Sequence, residues 1–355
     1  PPVRTVPIPK KAGGFRKLGI PTVEDRIAQM VAKMYLEPKV EPIFHADSYG
    51  YRPGRSAHDA LATTRKRCWR YDWVLEFDIR GLFDNIRSDL MMKAVKHHTQ
   101  EQWILLYVER WLTAEIENNE GELIRRTQGV PQGGVISPIL SNLFMHYAYD
   151  MWMQRTFPNN PICRYADDGL AHCKTRNEAE NILQALDARF KECGLELHSE
   201  KTKIVYCKDD DRPAGKGQKT QFTFLGYSFR PRRAKNKYGR FFVSFLPGVS
   251  PNALKTMRRS VRSWKLHCRV DKTLLDLSRM FTPIIRGWMN YYSKFYKSEL
   301  YDLYNYINQK LVFWAMRKYK RLKRHRRRAQ AFLARIAKKN PQLFPHWKFV
   351  PVMIG

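Results

Sequence analysis

Acidic residues are scarce in this 355-residue chain: 33 Asp and Glu stand against 64 Lys and Arg, a net charge of +31. Cysteine pairing is missing. Cys68, Cys163, Cys173, Cys193, Cys207 and Cys268 are scattered, with no Cys-x-x-Cys pair and no matching Cys/His spacing. That pattern argues against a disulfide framework or a zinc site and fits a reducing, cytoplasmic setting. No run approaches the roughly 18 uncharged apolar residues of a membrane span, so no membrane partner is expected. The start, Pro1-Pro2-Val3-Arg4, has no signal-peptide pattern and no initiator Met, and is expected to lie inside a longer protein. No internal repeat is visible.

What is present is positive charge, unevenly spread. Residues 251–355 hold 25 Lys and Arg against 4 Asp and Glu, a net +21, while the preceding 250 residues hold 39 against 29. The basic third also contains Trp264, Trp288, Trp314 and Trp347 with many tyrosines, a composition that folds rather than trails as a tail. Cations for phosphates and aromatics for packing or stacking make it a candidate nucleic-acid surface. At this length two or three folded units are expected.

The most informative stretch is Tyr165-Ala166-Asp167-Asp168. Extended segments lead in and out of it, so the chain turns at the two acids. A third acid, Asp78, ends the apolar run Trp73-Val74-Leu75-Glu76-Phe77 far upstream. Three carboxylates gathered by folding can hold two divalent cations about 3.5–4 Å apart, the usual device for in-line phosphoryl transfer.

Taken in order, residues 1–22 predict a β-hairpin. A helix follows, capped by Thr22, with Ile27, Met30, Val31 and Met34 as its buried face and Pro38 and Pro42 at its end. Ser48 to Ser56 is a glycine-rich basic turn before a helix near His58. Helix is predicted from about Ser88 to Leu112, and a hairpin turning at Asn118-Asn119-Glu120-Gly121. Ser137 as N-cap and Pro138 as first helical residue open a helix through Tyr149. A further helix carries Ile182, Leu183, Leu186 and Phe190 and stops at Gly194. Residues 195–230 alternate like strands, and helices dominate from about 250. The order is α+β.

With these pieces placed, the chain resembles reverse transcriptases, and among them the group II intron-encoded proteins that also act as maturases. The resemblance rests on Phe77-Asp78-Ile79-x-x-x-Phe83-Asp84, on Gly129-Val130-Pro131-Gln132-Gly133-Gly134 running into Ser137-Pro138-x-Leu140-x-Asn142-Leu143, and on Tyr165-Ala166-Asp167-Asp168. Leu18-Gly19-Ile20-Pro21, Ser48-Tyr49-Gly50-Tyr51-Arg52-Pro53, Glu200-Lys201-Thr202-Lys203, Phe224-Leu225-Gly226-Tyr227 and Ile285-Arg286-Gly287-Trp288-Met289-Asn290-Tyr291-Tyr292 agree with it.

That resemblance implies a right-hand polymerase: fingers over 1–70, palm over 71–240 with a fingers insertion around 90–128, and a helical thumb/maturase domain over 250–355. It implies that Asp78, Asp167 and Asp168, with the carbonyl of Ile79, hold two Mg²⁺ ions, for which Mn²⁺ can substitute. Phe83 becomes the gate that excludes a ribose 2′-hydroxyl. Lys10 and Arg16 grip the triphosphate, with Lys11 and Lys17 as neighbouring competitors. Gln132 contacts the nucleotide, and Lys201 is either the acid that protonates pyrophosphate or a solvated charge. Arg286, Trp288, Tyr292 and the block Lys320, Arg321, Lys323, Arg324, Arg326, Arg327 and Arg328 hold RNA.

The implied partners are group II intron RNA, an RNA template with a DNA primer, target DNA and deoxynucleoside triphosphates, in a bacterial cytoplasmic ribonucleoprotein. Two departures stand out. The family's additional N-terminal fingers segment is either missing or outside this sequence, and no Cys-pair/His-Asn-His endonuclease module is seen after the thumb, so target-strand cutting by this chain is not expected. Two other readings stay open: a domesticated or CRISPR-associated reverse transcriptase, and an RNA-binding maturase without polymerase activity. An RNA-templated RNA polymerase is disfavoured by the bulk of Phe83.

Overall fold

The computed structural model describes residues 1–9, 14–118, 120–213 and 217–352. The chain divides into two compact units, Pro1–Thr220 and Gln221–Gly355. Among the described residues no helix is long and apolar enough to cross a membrane.

The first unit opens with the expected antiparallel hairpin, β1 (Val3–Pro9) against β2 (Phe15–Ile20), with Val6 opposite Leu18. Helix α1 (Val23–Val40) is capped by Thr22, whose hydroxyl accepts from the Asp25 amide at 3.2 Å. Pro38 sits inside its last turn, and the helix ends only before Pro42. Its buried stripe is not the expected one. Ile27, Met30, Val31 and Met34 are exposed, Met34 by 68%, whereas Gln29, Ala32, Leu36 and Val40 face the core. Both stripes recur at helical spacing, so period alone cannot choose between them. Polar Gln29 turns inward because its carboxamide oxygen accepts from the Val135 amide at 2.7 Å.

Helix α2 (Ala57–Cys68) starts at a capping box between Ser56 and Asp59. Strand β3 (Trp73–Asp78) leads to the short α3 (Leu82–Asn85), α4 (Ser88–His98) and α5 (Gln102–Thr113). The expected helical region over about 88–112 consists of two helices separated at Thr99, an extended residue whose hydroxyl accepts from the Glu101 amide at 3.2 Å. Strands β4 (Ile116–Glu117) and β5 (Leu123–Ile124) complete a sheet in the order β2-β1-β4-β5, with β1 and β4 parallel.

Helix α6 (Ser137–Met145) begins one residue earlier than expected: Ile136 is the cap, and Ser137 instead donates to the Pro131 carbonyl at 2.7 Å. A π-turn over His146–Asp150 joins it to α7 (Met151–Thr156). Strands β6 (Ile162–Tyr165) and β7 (Asp168–Cys173) follow, then α8 (Arg176–Glu192) and β8 (Lys203–Tyr206). They form an antiparallel sheet in the order β6-β7-β3-β8. Helix α8 packs across β3, β7 and β8. Leu75 and Phe77 of β3 share one core with Leu140, Leu143, Leu186 and Phe190. That core fixes the sheet whose open end carries the acids.

The second unit contains β9 (Phe222–Phe224), β10 (Tyr227–Lys235) and β11 (Phe241–Val249) in a meander, followed by α9 (Pro251–Ser263), α10 (Leu274–Tyr292), α11 (Tyr301–Lys318) and α12 (Arg326–Lys339). The sequence boundary at 240–250 separates this sheet from the helices, whereas the structure keeps them in one unit. The reason is packing. The Tyr227 ring lies 5.7 and 5.5 Å from those of Tyr291 and Tyr292, and Tyr291 donates to the Leu225 carbonyl at 2.8 Å. Leu225 and Gly226 both take positive φ, the conformation a two-residue hairpin turn needs. A Cβ on Gly226 would stand 2.9 Å from the Tyr292 hydroxyl, which explains the glycine in this segment.

Candidate active site and nucleic-acid surface

Asp78 is the last residue of β3 and Asp168 the first of β7, and the antiparallel register sets them opposite each other. Tyr165 pairs with Asp168 across the β6–β7 turn, leaving Ala166 and Asp167 as its tip. Ala166 has φ +57, a left-handed conformation that is uncommon for a residue with a Cβ. The three acids, 90 residues apart at the extremes of the sequence, therefore gather at one end of a central strand pair. The register also explains Gly169, which lies opposite Phe77.

Asp78 and Asp167 face a cleft of about 820 Å³ that is also lined by Ile79, Phe83, Gln132 and Lys201. Asp168 lies deeper. Burial first, then the charges of Asp167, Asp78 and Glu76, push its carboxyl up to about 7, opposed by Lys201. Like-charge crowding of this kind marks functional carboxylate clusters. Lys201 pairs with the Asp78 carboxylate, and the Asp78 carbonyl accepts from the His198 amide at 2.8 Å. Lys203 pairs with Glu76 at 3.0 Å.

The donor set fits a hard divalent cation, because it is all oxygen and carries surplus negative charge. Among the described residues no three Asp, Glu, His or Cys side chains stand close enough together to hold a metal ion as they are, these three acids included. The arrangement is an open carboxylate cluster in which a lysine ammonium serves as counter-ion.

Phe83 is half-buried on the cleft wall, in α3, which starts after left-handed Gly81 at φ +58. Its carbonyl accepts from the Val130 amide at 2.6 Å, so the loop from Gly129 onward is laced to this wall. A Cβ on Gly129 would lie 2.7 and 2.8 Å from the carbonyls of Asp84 and Phe83. Gln132 donates to both carboxylate oxygens of Asp84 at 3.1 Å, so its amide is anchored within the cleft. Lys10 and Lys11 lie outside the described residues. Arg16 stands on β2 opposite Ile8, with its side chain outside the description, as is that of Lys17.

Sequence reasoning missed several members of the cleft: Tyr51, Arg80, Arg126 and His198. Arg126 is partly buried, one guanidinium nitrogen has no hydrogen-bond partner among the described residues, and burial lowers its pKa against the opposing pull of Asp84. Its only sequence signal is its place two residues before the Gln128-Gly129 loop.

In the second unit, Lys320, Arg321, Lys323, Arg324, Arg326, Arg327 and Arg328 are all exposed. Three of these arginines occupy the first turn of α12, which has no acidic residue there. Cations at the positive end of a helix dipole are locally unfavourable, and the sum is a strong field for anions. Arg286 is exposed on α10. Trp288 and Tyr292 are more deeply engaged. Trp288 stacks on Trp264 with centroids 5.8 Å apart, Trp264 stacks on Phe281 at 4.3 Å, and Tyr292 packs on Tyr227. These two aromatics are largely committed to the unit's own packing.

Comparison with known proteins agrees with this geometry. Residues 8–229 match the family described as reverse transcriptase (RNA-dependent DNA polymerase), and residues 254–332 match the group II intron maturase-specific domain. Protein YkfC of Escherichia coli is 33% identical over 288 residues, covering 69% of this chain and 71% of that protein. The group II intron-encoded protein LtrA of Lactococcus lactis is 35% identical over 146 residues, 41% of this chain and only 24% of LtrA. Among solved structures, apo telomerase from Candida tropicalis superimposes with a TM-score of 0.54 at 11% identity, over 98% of this chain and 67% of that one. This likeness bears on the fold alone. The chain belongs to the reverse transcriptase family, joined here to a group II intron maturase-specific domain.

Proposed function

We propose that the protein is an RNA-directed DNA polymerase that also binds structured intron RNA as a splicing cofactor and copies it into DNA during intron mobility. The observation that carries the polymerase reading is the pairing of Asp78 with Asp168 beside Asp167, where Asp78 and Asp167 line one cleft with Phe83 and Gln132. The carboxylates of Asp78, Asp167 and Asp168 and the carbonyl of Ile79 are the groups that would hold two Mg²⁺ ions, or Mn²⁺ in their place. When bound, such ions activate a primer 3′-oxygen and stabilise the leaving oxygen of the triphosphate.

The chain's own residues do the rest. Phe83 walls the sugar side and excludes a 2′-hydroxyl, so the substrates are deoxynucleoside triphosphates. Gln132, steadied by Asp84, borders the nucleotide, while Lys10 and Arg16 hold the triphosphate from the fingers. Lys201, now paired with Asp78, is positioned to hold or deliver a proton to the departing pyrophosphate. The exposed cations of 320–328 and Arg286 bind RNA phosphates of the intron and of the template–primer duplex. A cytoplasmic ribonucleoprotein acting on target DNA fits this set of partners.

The test is primer extension on an RNA template with Mg²⁺, using the parental protein and Asp167→Ala. Extension should vanish while RNA affinity persists, since phosphate contacts elsewhere supply that affinity. Substantial extension by Asp167→Ala would refute the site. For the splicing half, the Asp167→Ala protein should still promote intron splicing, and failure there would remove the maturase reading.

A further inference from the structure

Two sequence motifs, Tyr49-Gly50 in the basic turn and Asn142 in α6, have no role in the chemistry above. Both end on the same buried side chain. Arg164, fully buried, lies one residue before the β6–β7 turn begins. Its Nε and Nη2 donate to the two oxygens of Asp150, also fully buried, at 2.8 and 2.6 Å. Its Nη1 donates to Asn142 Oδ1 and to the carbonyl of Ala166, each at 3.1 Å. Asn142 in turn donates to the Gly50 carbonyl at 2.7 Å. The Gly50 backbone presses so closely on the turn that a Cβ there would be 2.4 Å from the Ala166 nitrogen.

The Ala166 carbonyl belongs to the peptide that bears the Asp167 nitrogen, so fixing it fixes the direction in which Asp167 leaves the turn. Ala166 is itself in a left-handed conformation that its Cβ disfavours, and such conformations persist only where the surroundings over-determine them. Asp150 reaches Arg164 from a π-turn, an insertion often found at functional sites. A buried ion pair is weak evidence of stabilisation, since apolar replacements of both partners often serve as well. Its fork geometry, however, delivers several bonds in fixed directions.

We propose that Arg164, Asn142 and Asp150 are positioning residues, a brace that sets the Asp167 carboxylate relative to Asp78 by holding the Ala166 carbonyl from beneath. The inference rests on the reading of Asp167 as a member of the active site.

The experiment uses the full chain and three variants. Asn142→Asp keeps the acceptor for Arg164 and loses the donor to Gly50. Arg164→Lys keeps the charge and loses the fork. The double variant Arg164→Met/Asp150→Leu removes both charges together, so no uncompensated ion is buried. Melting temperature, amide hydrogen exchange of the 162–170 segment, Mn²⁺ affinity by electron paramagnetic resonance, and kcat and KM for primer extension are measured on each.

The brace predicts faster exchange at 166–168 and weaker Mn²⁺ binding in variants that still melt cooperatively. It also predicts a fall in kcat of about 100-fold, the size expected of a misplacement near 1 Å, with KM for the nucleotide little changed. Arg164→Lys should recover part of the kcat lost in the double variant. Parental exchange and parental kcat in a folded Asn142→Asp or double variant would overturn the proposal, as would a kcat loss that merely tracks the unfolded fraction. Asp167→Ala runs alongside. If that variant still extends primers, the active-site reading has failed, and the exchange data alone then decide whether the brace exists.

Discussion

Phe77 and Gly169 face each other in register across β3 and β7, and the phenyl ring occupies the space a side chain on Gly169 would need. A Cβ there would lie 2.1 Å from Phe77 Cζ. The ring itself is held edge-on by Tyr149 at 4.9 Å and by Phe190 at 5.8 Å, so it has nowhere to go. Gly169 adjoins Asp168 and Phe77 adjoins Asp78, so the contact joins the two strands directly behind the acids.

Gly169→Ala is therefore expected to destabilise the first unit by about 1–3 kcal/mol, the usual cost of overpacking, and to reduce primer extension beyond that. Phe77→Leu makes room. In a double-mutant cycle Phe77→Leu should cost less in the Gly169→Ala background than alone, since contacting residues couple. Additive losses in melting experiments would show that the sheet absorbs the extra methyl elsewhere.

Phe83→Val should raise ribonucleotide incorporation relative to deoxynucleotide incorporation by roughly 10-fold or more, the discrimination about 1.4 kcal/mol provides. The wall it forms is fixed by the Val130–Phe83 hydrogen bond, which the substitution leaves intact because it uses the backbone. Measured as a ratio of kcat/KM values, an unmoved preference would make Phe83 a packing residue only.

Much of the site was legible because it is written in local patterns. An acid at the end of an apolar strand and two acids at a turn are contiguous signals, and the hairpins that carry them alternate visibly. What stayed hidden depends on tertiary choice. Helix α1 has two stripes at helical spacing, and a bond from Val135 to Gln29, 106 residues away, selects the inner one. Arg164 drew no role from the sequence, yet it is wholly buried because Asn142 of α6 and Asp150 of the following π-turn receive it. Trp288 was expected among the RNA-holding residues, and its ring is stacked on Trp264. Nothing in a one-dimensional pattern carries such long-range pairings.

Acid should weaken both units through buried histidines. Burial lowers His172 and His346 to about 3 and His146 to about 4. The folded state keeps these rings neutral while the unfolded chain takes up a proton near the ordinary value of about 6.5, so the unfolded state binds more protons in acid and stability falls with pH. Each ring contributes a loss of up to about 1.4 kcal/mol per pH unit between about 6.5 and its folded value. Both nitrogens of His172 lack hydrogen-bond partners among the described residues. His172→Leu should therefore be tolerated near neutrality and flatten the acid slope. Thermal melts from pH 7.5 to 4.5 check this, and an unchanged slope would exclude His172 as a contributor.

The exposed block from Lys320 to Arg328 should govern general RNA affinity. Its seven cations are all exposed, and three of them crowd the first turn of α12 without an acid to offset the dipole. Phosphate contacts release counterions, so binding falls steeply with salt, and each lost contact flattens the slope by about 0.7 to 0.9 units. Replacing Arg326, Arg327 and Arg328 by Gln is expected to lower RNA affinity at low salt and to reduce the slope of log K against log salt by about two units. Glutamine also relieves repulsion at the helix start, so α12 should not melt earlier. Because phosphate contacts position an RNA without reading it, cognate intron and random RNA should weaken alike. A loss confined to the intron would instead mean that these arginines recognise a particular folded shape. Binding titrations at three or more salt concentrations, with both RNAs in competition, distinguish the two, and an unaltered slope would show that the phosphates sit on another face.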